Sequence, residues 1–397
     1  MSAPVRDTSH PKSVQRVDYI DLLRGWAVIV MIETHVVNAT LAEEIMSDRM
    51  FQYVRFLNGL VAPSFLFASG LAFAITARRK LPDYLSFGSP LFKQLGRLLL
   101  IAGLGYALHI PIFSLHRLLS EATDAQWQSF FQVDILQCIA VSLLMLQFLL
   151  VVLKNERLLY RFTLVLGAAI VLCTPFIWSI DFWDTVPWPA AAYLNGLRYS
   201  LFPLFPWAVF LLAGSLIGHH FSRGMTTLSA LDSDAHERSM QSLLWIGGSM
   251  ILLSIALEPI AGILFPEHDY WRASPSFFLL RLGLVILLCW VMHVSSRGRK
   301  TAMRPIVMLF GRESLLVYVL HLLMIYGSFG GFNFRKEVSQ TFGYLEAGIS
   351  ACMLCLLMYA VALWWSRIKA GYPRMKTAMN MVTLALVLAL FLFGEGE

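Results

Sequence analysis

Long apolar runs, separated by short polar segments, follow one another along most of the chain. A helix that crosses the hydrocarbon core of a bilayer needs about 20 mostly apolar residues. Eleven runs approach this length: residues 19–40, 57–77, 91–109, 133–152, 159–180, 201–220, 243–264, 276–294, 305–328, 344–366 and 379–393. The pattern predicts an all-α, polytopic membrane helix bundle with about eleven transmembrane helices. Four prolines at residues 187–206 predict an irregular or re-entrant start for the sixth span.

The polar segments differ in charge according to the side on which they are predicted to lie. Basic clusters at residues 6–16, 78–97, 154–161, 297–304 and 367–376 all fall on one side of the predicted bundle. Lys and Arg accumulate in cytoplasmic loops, so the N-terminus is predicted to be cytoplasmic and, with an odd number of spans, the C-terminal end outside. We expect a basic cytoplasmic tail over residues 1–18 and a single transmembrane domain over residues 19–397. Arg24 and Glu33 interrupt the first run, which argues against a cleavable signal peptide.

The composition of the 397 residues supports the same class of protein. Apolar residues make up 57% of the chain and charged residues only 14%, whereas a soluble domain is about a quarter charged. This excludes a disordered chain, a secreted disulfide scaffold and an ordinary cytosolic enzyme. The net charge of +6 is explained by the cytoplasmic loops and does not indicate a nucleic-acid partner. Oligomeric state is not predicted.

Ionisable side chains within the first span are candidates for function, because burying each of them in a membrane is costly. Arg24 and His35 are separated by a near-integral number of turns, so they share a helix face about 16 Å apart along the axis. Arg24 lies near the cytoplasmic end and His35 in the outer third. Asp21 is close enough in sequence to pair with Arg24, which would make Arg24 an interfacial charge. Glu33 points elsewhere and would have to contact a neighbouring span.

The ninth predicted span carries a second polar stripe. Ser314, Tyr318 and His321 fall broadly on one side of this helix. His321 is predicted to reach the same outer depth as His35, since both spans run from inside to outside. Either histidine could act as a base or orient a substrate carbonyl, and a buried histidine bonded to a carbonyl is the structural alternative.

Further polar candidates lie towards the outer side. Asp134 and Gln137 open the fourth span, and the alternative role of Asp134 is to cap its helix. Glu258 and Arg281 are expected either to contact the substrate or to form a structural ion pair between adjacent helices. The histidines have no carboxylate or cysteine companions at metal-ligand spacing, so no metal site is predicted. The sequence also lacks a GxxxxGK[ST] phosphate loop and the HExxH and GxSxG motifs.

Several short motifs, in this order along the chain, resemble the heparan-alpha-glucosaminide N-acetyltransferase-like family. They are DLLRG at residues 21–25 with His35, APSFLFASG at 62–70, DILQCIA at 134–140, FPLFPW at 202–207 and LFGRESLLVYVLH at 309–321. The spacing from Arg24 to His35 is also similar to that of the wider superfamily of transmembrane acyltransferases that O-acetylate bacterial polysaccharides. The resemblance covers at least the first nine predicted helices.

The resemblance implies an enzyme that transfers an acyl group, usually acetyl, from cytoplasmic acetyl-coenzyme A to a sugar hydroxyl or amine across the membrane. Acetyl-coenzyme A would be a co-substrate, with no bound cofactor, and the acceptor a carbohydrate or glycolipid. The resemblance implies that His35 is catalytic, and we add His321. Arg24, Arg97 and Arg312 are the expected donor-binding residues, although the topology of the chain also explains inner-face arginines. Asp134, Gln137, Tyr318, Glu33 and Arg281 are the expected acceptor-side residues.

One departure from the family bears on the type of acceptor. The lysosomal sugar N-acetyltransferase has Asn at the position that corresponds to His35, and its proposed histidine lies further along the chain. No second histidine follows closely after His35 here. This departure favours the bacterial O-acyl type, in the inner (cytoplasmic) membrane, over amino-sugar specificity.

Two other classes of function remain open from the residues alone. Intramembrane Arg, Glu and His also mark the permeation paths of transporters and proton-coupled exporters. Such a protein would be favoured by inverted repeats, which we do not detect. A non-catalytic scaffold in an envelope-synthesis complex is the third interpretation. Consumption of labelled acetyl-coenzyme A would separate an enzyme from both alternatives.

Overall fold

The computed structural model describes residues 17–224, 233–298, 301–327 and 333–394. Nearly all of the predicted basic tail therefore lies outside the described residues. Within the described ranges the chain forms helices and no β-strand, and a single isolated parallel bridge joins Leu41 to Phe342. The predicted all-α helix bundle is confirmed.

Twenty helices follow one another along the described chain. They are α1 (Asp18–Thr40), α2 (Glu43–Met46), α3 (Arg49–Asn58), α4 (Val61–Arg79), α5 (Leu81–Leu85), α6 (Ser89–Ala107), α7 (Leu115–Glu121), α8 (Asp124–Phe130), α9 (Ile135–Leu153), α10 (Glu156–Trp178), α11 (Trp188–Leu194), α12 (Leu204–Gly224), α13 (Ser233–Leu264), α14 (Tyr270–Ala273), α15 (Pro275–Arg297), α16 (Met303–Arg312), α17 (Ser314–Tyr326), α18 (Phe334–Val338), α19 (Tyr344–Gly371) and α20 (Pro373–Phe393).

Each of the eleven predicted spans has a helix or a helix pair at its position. In the described part of the chain, eight helical segments are long and apolar enough to cross a membrane, or nine if α16 and α17 count as one bent span. The two predicted spans that do not meet this test are α1 and α6, which carry charged side chains. The number of spans and their sidedness therefore stay predictions.

The ninth predicted span is not one continuous helix, so the expectation of an unbroken run over residues 305–328 is wrong. It breaks at Glu313, whose backbone leaves helical geometry, and α16 and α17 meet at 83°. The Glu313 carboxylate accepts a 2.6 Å hydrogen bond from Lys369 of α19. The expected irregular start of the sixth span is confirmed, since Phe205 in the first turn of α12 has non-helical backbone angles.

Helix α1 lies at the centre of the bundle rather than at its surface. It packs against α4, α15, α16, α17 and α19, and Leu23, Ala27, Val28 and Ile32 are fully buried. Protein neighbours therefore surround it where lipid would surround a peripheral span, which explains how it accommodates charged residues. In α20, which is described throughout, no residue is buried.

Glycines allow the central helices to approach one another closely. A Cβ atom at Gly25 of α1 would collide with the backbone carbonyl of Val307 in α16, and one at Gly311 of α16 would collide with the carbonyl of Asp21. The pair Gly70 and Gly214 has the same role between α4 and α12. Small residues at helix interfaces let membrane-embedded backbones pack tightly. These contacts hold the charged part of α1 in place against α16.

Candidate active site

The two histidines expected to share a depth in the bundle are in contact. The imidazole rings of His35 on α1 and His321 on α17 have centroids 5.2 Å apart, with an angle of 50° between their planes. His321 has no exposed surface. The break between α16 and α17 gives α17 its own direction, so that its buried face meets α1 at this point.

The hydrogen bonds of His321 determine which of its nitrogens is available. Its Nδ1 lies 2.8 Å from the carbonyl oxygen of Val317, one turn earlier in α17. A carbonyl oxygen can only accept, so Nδ1 carries the proton and Nε2 has the lone pair. Nε2 is buried and has no hydrogen-bond partner in the described part of the chain. This is the tautomer and orientation that a general base requires.

Tyr326, at the end of α17, holds His35. Its hydroxyl donates to the carbonyl oxygen of His35 at 3.3 Å and lies 3.4 Å from Nδ1 of the same residue. The two rings also meet edge to face, with 5.8 Å between centroids. Sequence reasoning missed Tyr326, although it lies on the same helix as His321 and close to the predicted outer level.

Asp134 connects three elements at this level. It caps α9, as one interpretation of the sequence expected, by accepting the backbone N–H of Ile135 at 2.7 Å. The same carboxylate accepts a 3.3 Å hydrogen bond from the hydroxyl of Tyr318 and lies 3.5 Å from Nε2 of His109. Tyr318 in turn contacts the His321 ring, with 5.8 Å between centroids.

His109 is a further residue that the sequence analysis did not single out. Its Nδ1 is 2.7 Å from the side-chain amide nitrogen of Gln132, which can only donate. The ring proton is therefore on Nε2, facing Asp134. The available signal was its position at the end of the third predicted span, at the same depth as the start of the fourth. His109, Asp134 and Tyr318 together form a polar chain that reaches His321.

Arg24 has a hydrogen-bond partner other than the Asp21 that the sequence suggested. Its Nη2 donates a 2.5 Å hydrogen bond to the hydroxyl of Ser314, in the first turn of α17. Asp21 instead accepts a 3.2 Å hydrogen bond from Nε of Arg312 at the end of α16. The close contact of Gly311 with the backbone of Asp21 brings these two side chains together.

A cavity of about 230 Å³ lies between α1, α4, α6, α9 and α17. Its polar lining comes from Arg24, Ser69, Thr76, Lys80, Tyr84, Gln94, Arg97, Ser314 and Tyr318. Arg97 and Lys80 are exposed, which places them at the mouth of the cavity. Burial raises the pKa of Tyr84, and nearby Asp83 raises it further, so the phenol stays protonated at neutral pH.

The histidine pair lies next to this cavity but is not part of its lining. Tyr318 is part of its lining, and the same ring contacts His321 and binds Asp134. Arg312 lies outside this lining and is exposed. Of the predicted polar stripe, Ser314 and Tyr318 therefore line the cavity, and His321 lies beyond it.

Comparison with known proteins identifies the family of this chain. The family model described as heparan-alpha-glucosaminide N-acetyltransferase, catalytic, matches residues 16–259. The chain belongs to this family. The matched range contains Arg24, His35, Arg97, His109 and Asp134. His321 and Tyr318 lie beyond it, so their place beside His35 comes from the structure. No curated protein matches the chain.

Glu33 and Gln137 are two further candidates for the acceptor side. Glu33 lies close enough to Asn58 of α3 and to Thr34 to interact with their side chains. The side chain of Gln137 is fully buried against Gly105 of α6, and both its polar atoms are without partners in the described chain. Gln137 lies one turn from Asp134 on α9. Its side-chain amide is in a position to hydrogen-bond to a polar ligand or a water molecule.

Arg281 and Glu258 do not form the ion pair that was one of the two expectations. The guanidinium of Arg281 stacks on the Phe277 ring, 4.1 Å from its centroid, and lies 5.5 Å from the centroid of Trp207. Glu258 accepts a short hydrogen bond from the hydroxyl of Ser276. Arg281 is thus packed among aromatic rings. No group of three or more His, Cys, Asp or Glu that could hold a metal ion occurs in the described ranges.

Proposed function

We propose that this membrane acetyltransferase takes an acetyl group from coenzyme A on the cytoplasmic side and transfers it to a sugar or glycolipid acceptor on the outer side. The observation that carries the proposal is Nε2 of His321, which has no hydrogen-bond partner among the described residues. The His321 ring lies beside His35 and contacts Tyr318, which lines a cavity together with two arginines. A base and a donor-binding cavity in contact are what acyl transfer from a thioester requires.

The charges of the cavity suit an anionic donor. Coenzyme A carries several negative charges on its phosphates, and Arg97 and Lys80 lie at the mouth where those charges would stay near water. The pantetheine arm is thin enough to enter between helices. Arg24, deeper in the cavity, would then lie near the thioester end of the donor. Arg312, bound to Asp21 outside the lining, is not included in this role.

The proposed chemistry uses the lone pair on Nε2 of His321. This nitrogen removes a proton from the acceptor hydroxyl or amine as the acceptor oxygen or nitrogen attacks the thioester carbonyl. The carbon–sulfur bond then breaks, the acetyl group stays on the acceptor, and the coenzyme A thiolate takes up a proton. The resemblance implied only that His35 is catalytic, and the residues left either histidine as a possible base. The described contacts favour His321, because its tautomer is determined by Val317 and its Nε2 is free.

A second route uses His35 as a nucleophile. A histidine nitrogen can accept the acetyl group from the thioester and pass it on as an acyl-imidazole. In that route His35 carries the acetyl group and His321 removes the acceptor proton. Trapping the enzyme with labelled acetyl-coenzyme A and no acceptor distinguishes the routes, because only the acyl-imidazole route leaves label on the protein.

The deciding experiment supplies labelled acetyl-coenzyme A to the cytoplasmic face of inverted vesicles that contain a sugar acceptor. We expect His321→Ala to lower acetyl transfer by at least about a hundredfold and His35→Ala to abolish it. His116→Ala, at an exposed position on α7, is the matched control and should leave transfer unchanged. Full transfer by both site variants would overturn the proposal. Substrate export without donor consumption would favour the exporter instead.

The type of acceptor is tested in the same vesicles. The presence of His35 in the family's spacing motif favours an O-acyl acceptor. A sugar that has only hydroxyl groups is expected to be acetylated faster than the matched amino sugar. Preferential acetylation of the amine would reverse this part of the proposal while leaving the acetyltransferase activity intact.

A further inference from the structure

A second cavity lies away from the histidine pair, at the end of the bundle where α10 begins. It has a volume of about 480 Å³ and is lined by Arg157, Tyr160, Arg161 and Leu164 of α10 and by His219 of α12. Arg157 and Arg161 are exposed and lie one turn apart on the same helix face. None of these residues takes part in the proposed acetyl transfer.

A third arginine approaches this cavity from α4. Arg78 is half-buried and lies close enough to Tyr160 to interact with it electrostatically. Its Nη1 is buried and has no hydrogen-bond partner among the described residues. A buried guanidinium nitrogen without an acceptor is costly. The accumulation of basic residues in cytoplasmic loops explains the exposed Arg157 and Arg161, but it does not explain a buried donor that is left unpaired.

Two of the side chains that line this cavity are aromatic rings in contact with each other. The Tyr160 and His219 rings are stacked, with 3.7 Å between centroids and 22° between planes. Glu156, in the first turn of α10, also acts electrostatically on Tyr160 and offsets one of the three guanidinium charges. The cavity therefore keeps an excess of positive charge. Such a cavity would bind an anion with two or more oxygen acceptors, as a phosphate has.

The surface next to the cavity is apolar. Leu158, Phe162, Leu164 and Val165 of α10 are all exposed, with Leu164 and Val165 at 61% and 67% of their maximal accessibility. Glu156–Trp178 is long and apolar enough to span a membrane, and in such a span this exposed strip would face hydrocarbon. A ligand that lies in the cavity and along the strip needs a phosphate at one end and acyl chains at the other.

We propose that the cavity lined by Arg157, Tyr160, Arg161 and His219, with Arg78 beside Tyr160, binds the phosphate headgroup of an anionic phospholipid. The acyl chains of this lipid lie along the exposed apolar strip of α10. Basic pockets between helices on the cytoplasmic side are suited to such headgroups. A free phosphate would use the same arginines, but it would leave the apolar strip without a role.

The test titrates the purified, delipidated full-length protein with phosphatidylglycerol or with phosphatidylcholine and counts bound lipids by native mass spectrometry. We expect phosphatidylglycerol to bind at least about tenfold more tightly than phosphatidylcholine. The double variant Arg157→Ala/Arg161→Ala should lose at least about tenfold in affinity for phosphatidylglycerol. The charge-preserving variant Arg157→Lys/Arg161→Lys should retain most of it.

The matched control removes two basic residues at the same predicted end of the bundle but outside the cavity. Arg374→Ala/Lys376→Ala on α20 should bind phosphatidylglycerol as the unaltered protein does. Equal binding of the two lipids, or unchanged binding by the Arg157→Ala/Arg161→Ala variant, would overturn the proposal. Displacement of phosphatidylglycerol by inorganic phosphate at equal concentration would also overturn it, because the apolar strip would then add nothing. Thermal unfolding of each variant checks that the fold is retained.

Discussion

Arg24 donates a 2.5 Å hydrogen bond to Ser314, and this contact joins the central helix to the first turn of α17. Ser314 follows directly after the break at Glu313, so the bend between α16 and α17 is what brings its hydroxyl to the arginine. Both residues line the cavity of about 230 Å³. The hydrogen bond therefore orients a cation towards the proposed donor, and its loss should affect donor binding first.

Replacing the partner of Arg24 tests this role. Ser314→Ala removes the hydroxyl, and we expect KM for acetyl-coenzyme A to rise by about fivefold, equivalent to about 1 kcal/mol for one hydrogen bond, with a smaller change in kcat. Ser314→Thr keeps the hydroxyl and should recover most of the affinity. Ser120→Ala, at an exposed position on α7, serves as the control. An unchanged KM in Ser314→Ala would show that Arg24 does not depend on this contact.

Asp134 is expected to act through the residues that it contacts. Asp134→Asn keeps an N-cap for α9 but removes the negative charge facing His109 and Tyr318. Tyr318→Phe removes the hydroxyl that the carboxylate accepts. We expect each single variant to lower kcat by about tenfold, since hydrogen bonds to charged groups contribute about 1.5–3 kcal/mol.

Coupling between the two residues is measured with the double variant. If the Tyr318 hydroxyl acts through Asp134, the double variant should lose less activity than the product of the two single losses. Independent, multiplicative losses would contradict a shared network. The measurement is single-turnover acetyl transfer in vesicles, which separates chemistry from product release.

Because α1 packs closely on α16, adding even a methyl group at their contact should destabilise the fold. Gly25→Ala places a methyl group against the carbonyl of Val307, and we expect a destabilisation of about 1–3 kcal/mol. Gly96→Ala on α6 is the matched control, because a Cβ there meets nothing within 4 Å. That variant should be neutral or slightly stabilised. Equal thermal unfolding temperatures for the two variants would contradict the proposed contact.

The predicted sidedness of the membrane is tested with two matched cysteine substitutions. Ser86→Cys lies between α5 and α6 on the predicted cytoplasmic side, and Ser120→Cys lies in α7 on the predicted outer side; both positions are exposed. In a variant whose five native cysteines are replaced, an impermeant maleimide added to intact cells should label only Ser120→Cys. Labelling of Ser86→Cys alone would reverse the orientation.

Much of the candidate site could be predicted because its signals are local in sequence. Charged residues inside apolar runs are conspicuous, and helical spacing alone placed Arg24 and His35 on one face. Their expected partners were less reliable. Asp21 was the acid expected to pair with Arg24. The close approach of Gly311 instead places Asp21 beside Arg312, from which it accepts a hydrogen bond. His109 and Tyr326 were missed, since their roles arise only from contacts with other helices.

The sequence by itself determined the all-α class, the positions of the long helices and the residues costly enough in a membrane to require a partner. Length and apolar content decide these, because a bilayer leaves the backbone few alternatives to a helix. Only the tertiary structure decided that the ninth run bends at Glu313, that His35 meets His321 and that Tyr318 contacts His321 while lining the cavity. Those features depend on which helix faces meet, and packing between distant segments determines that rather than the order of residues within any one helix.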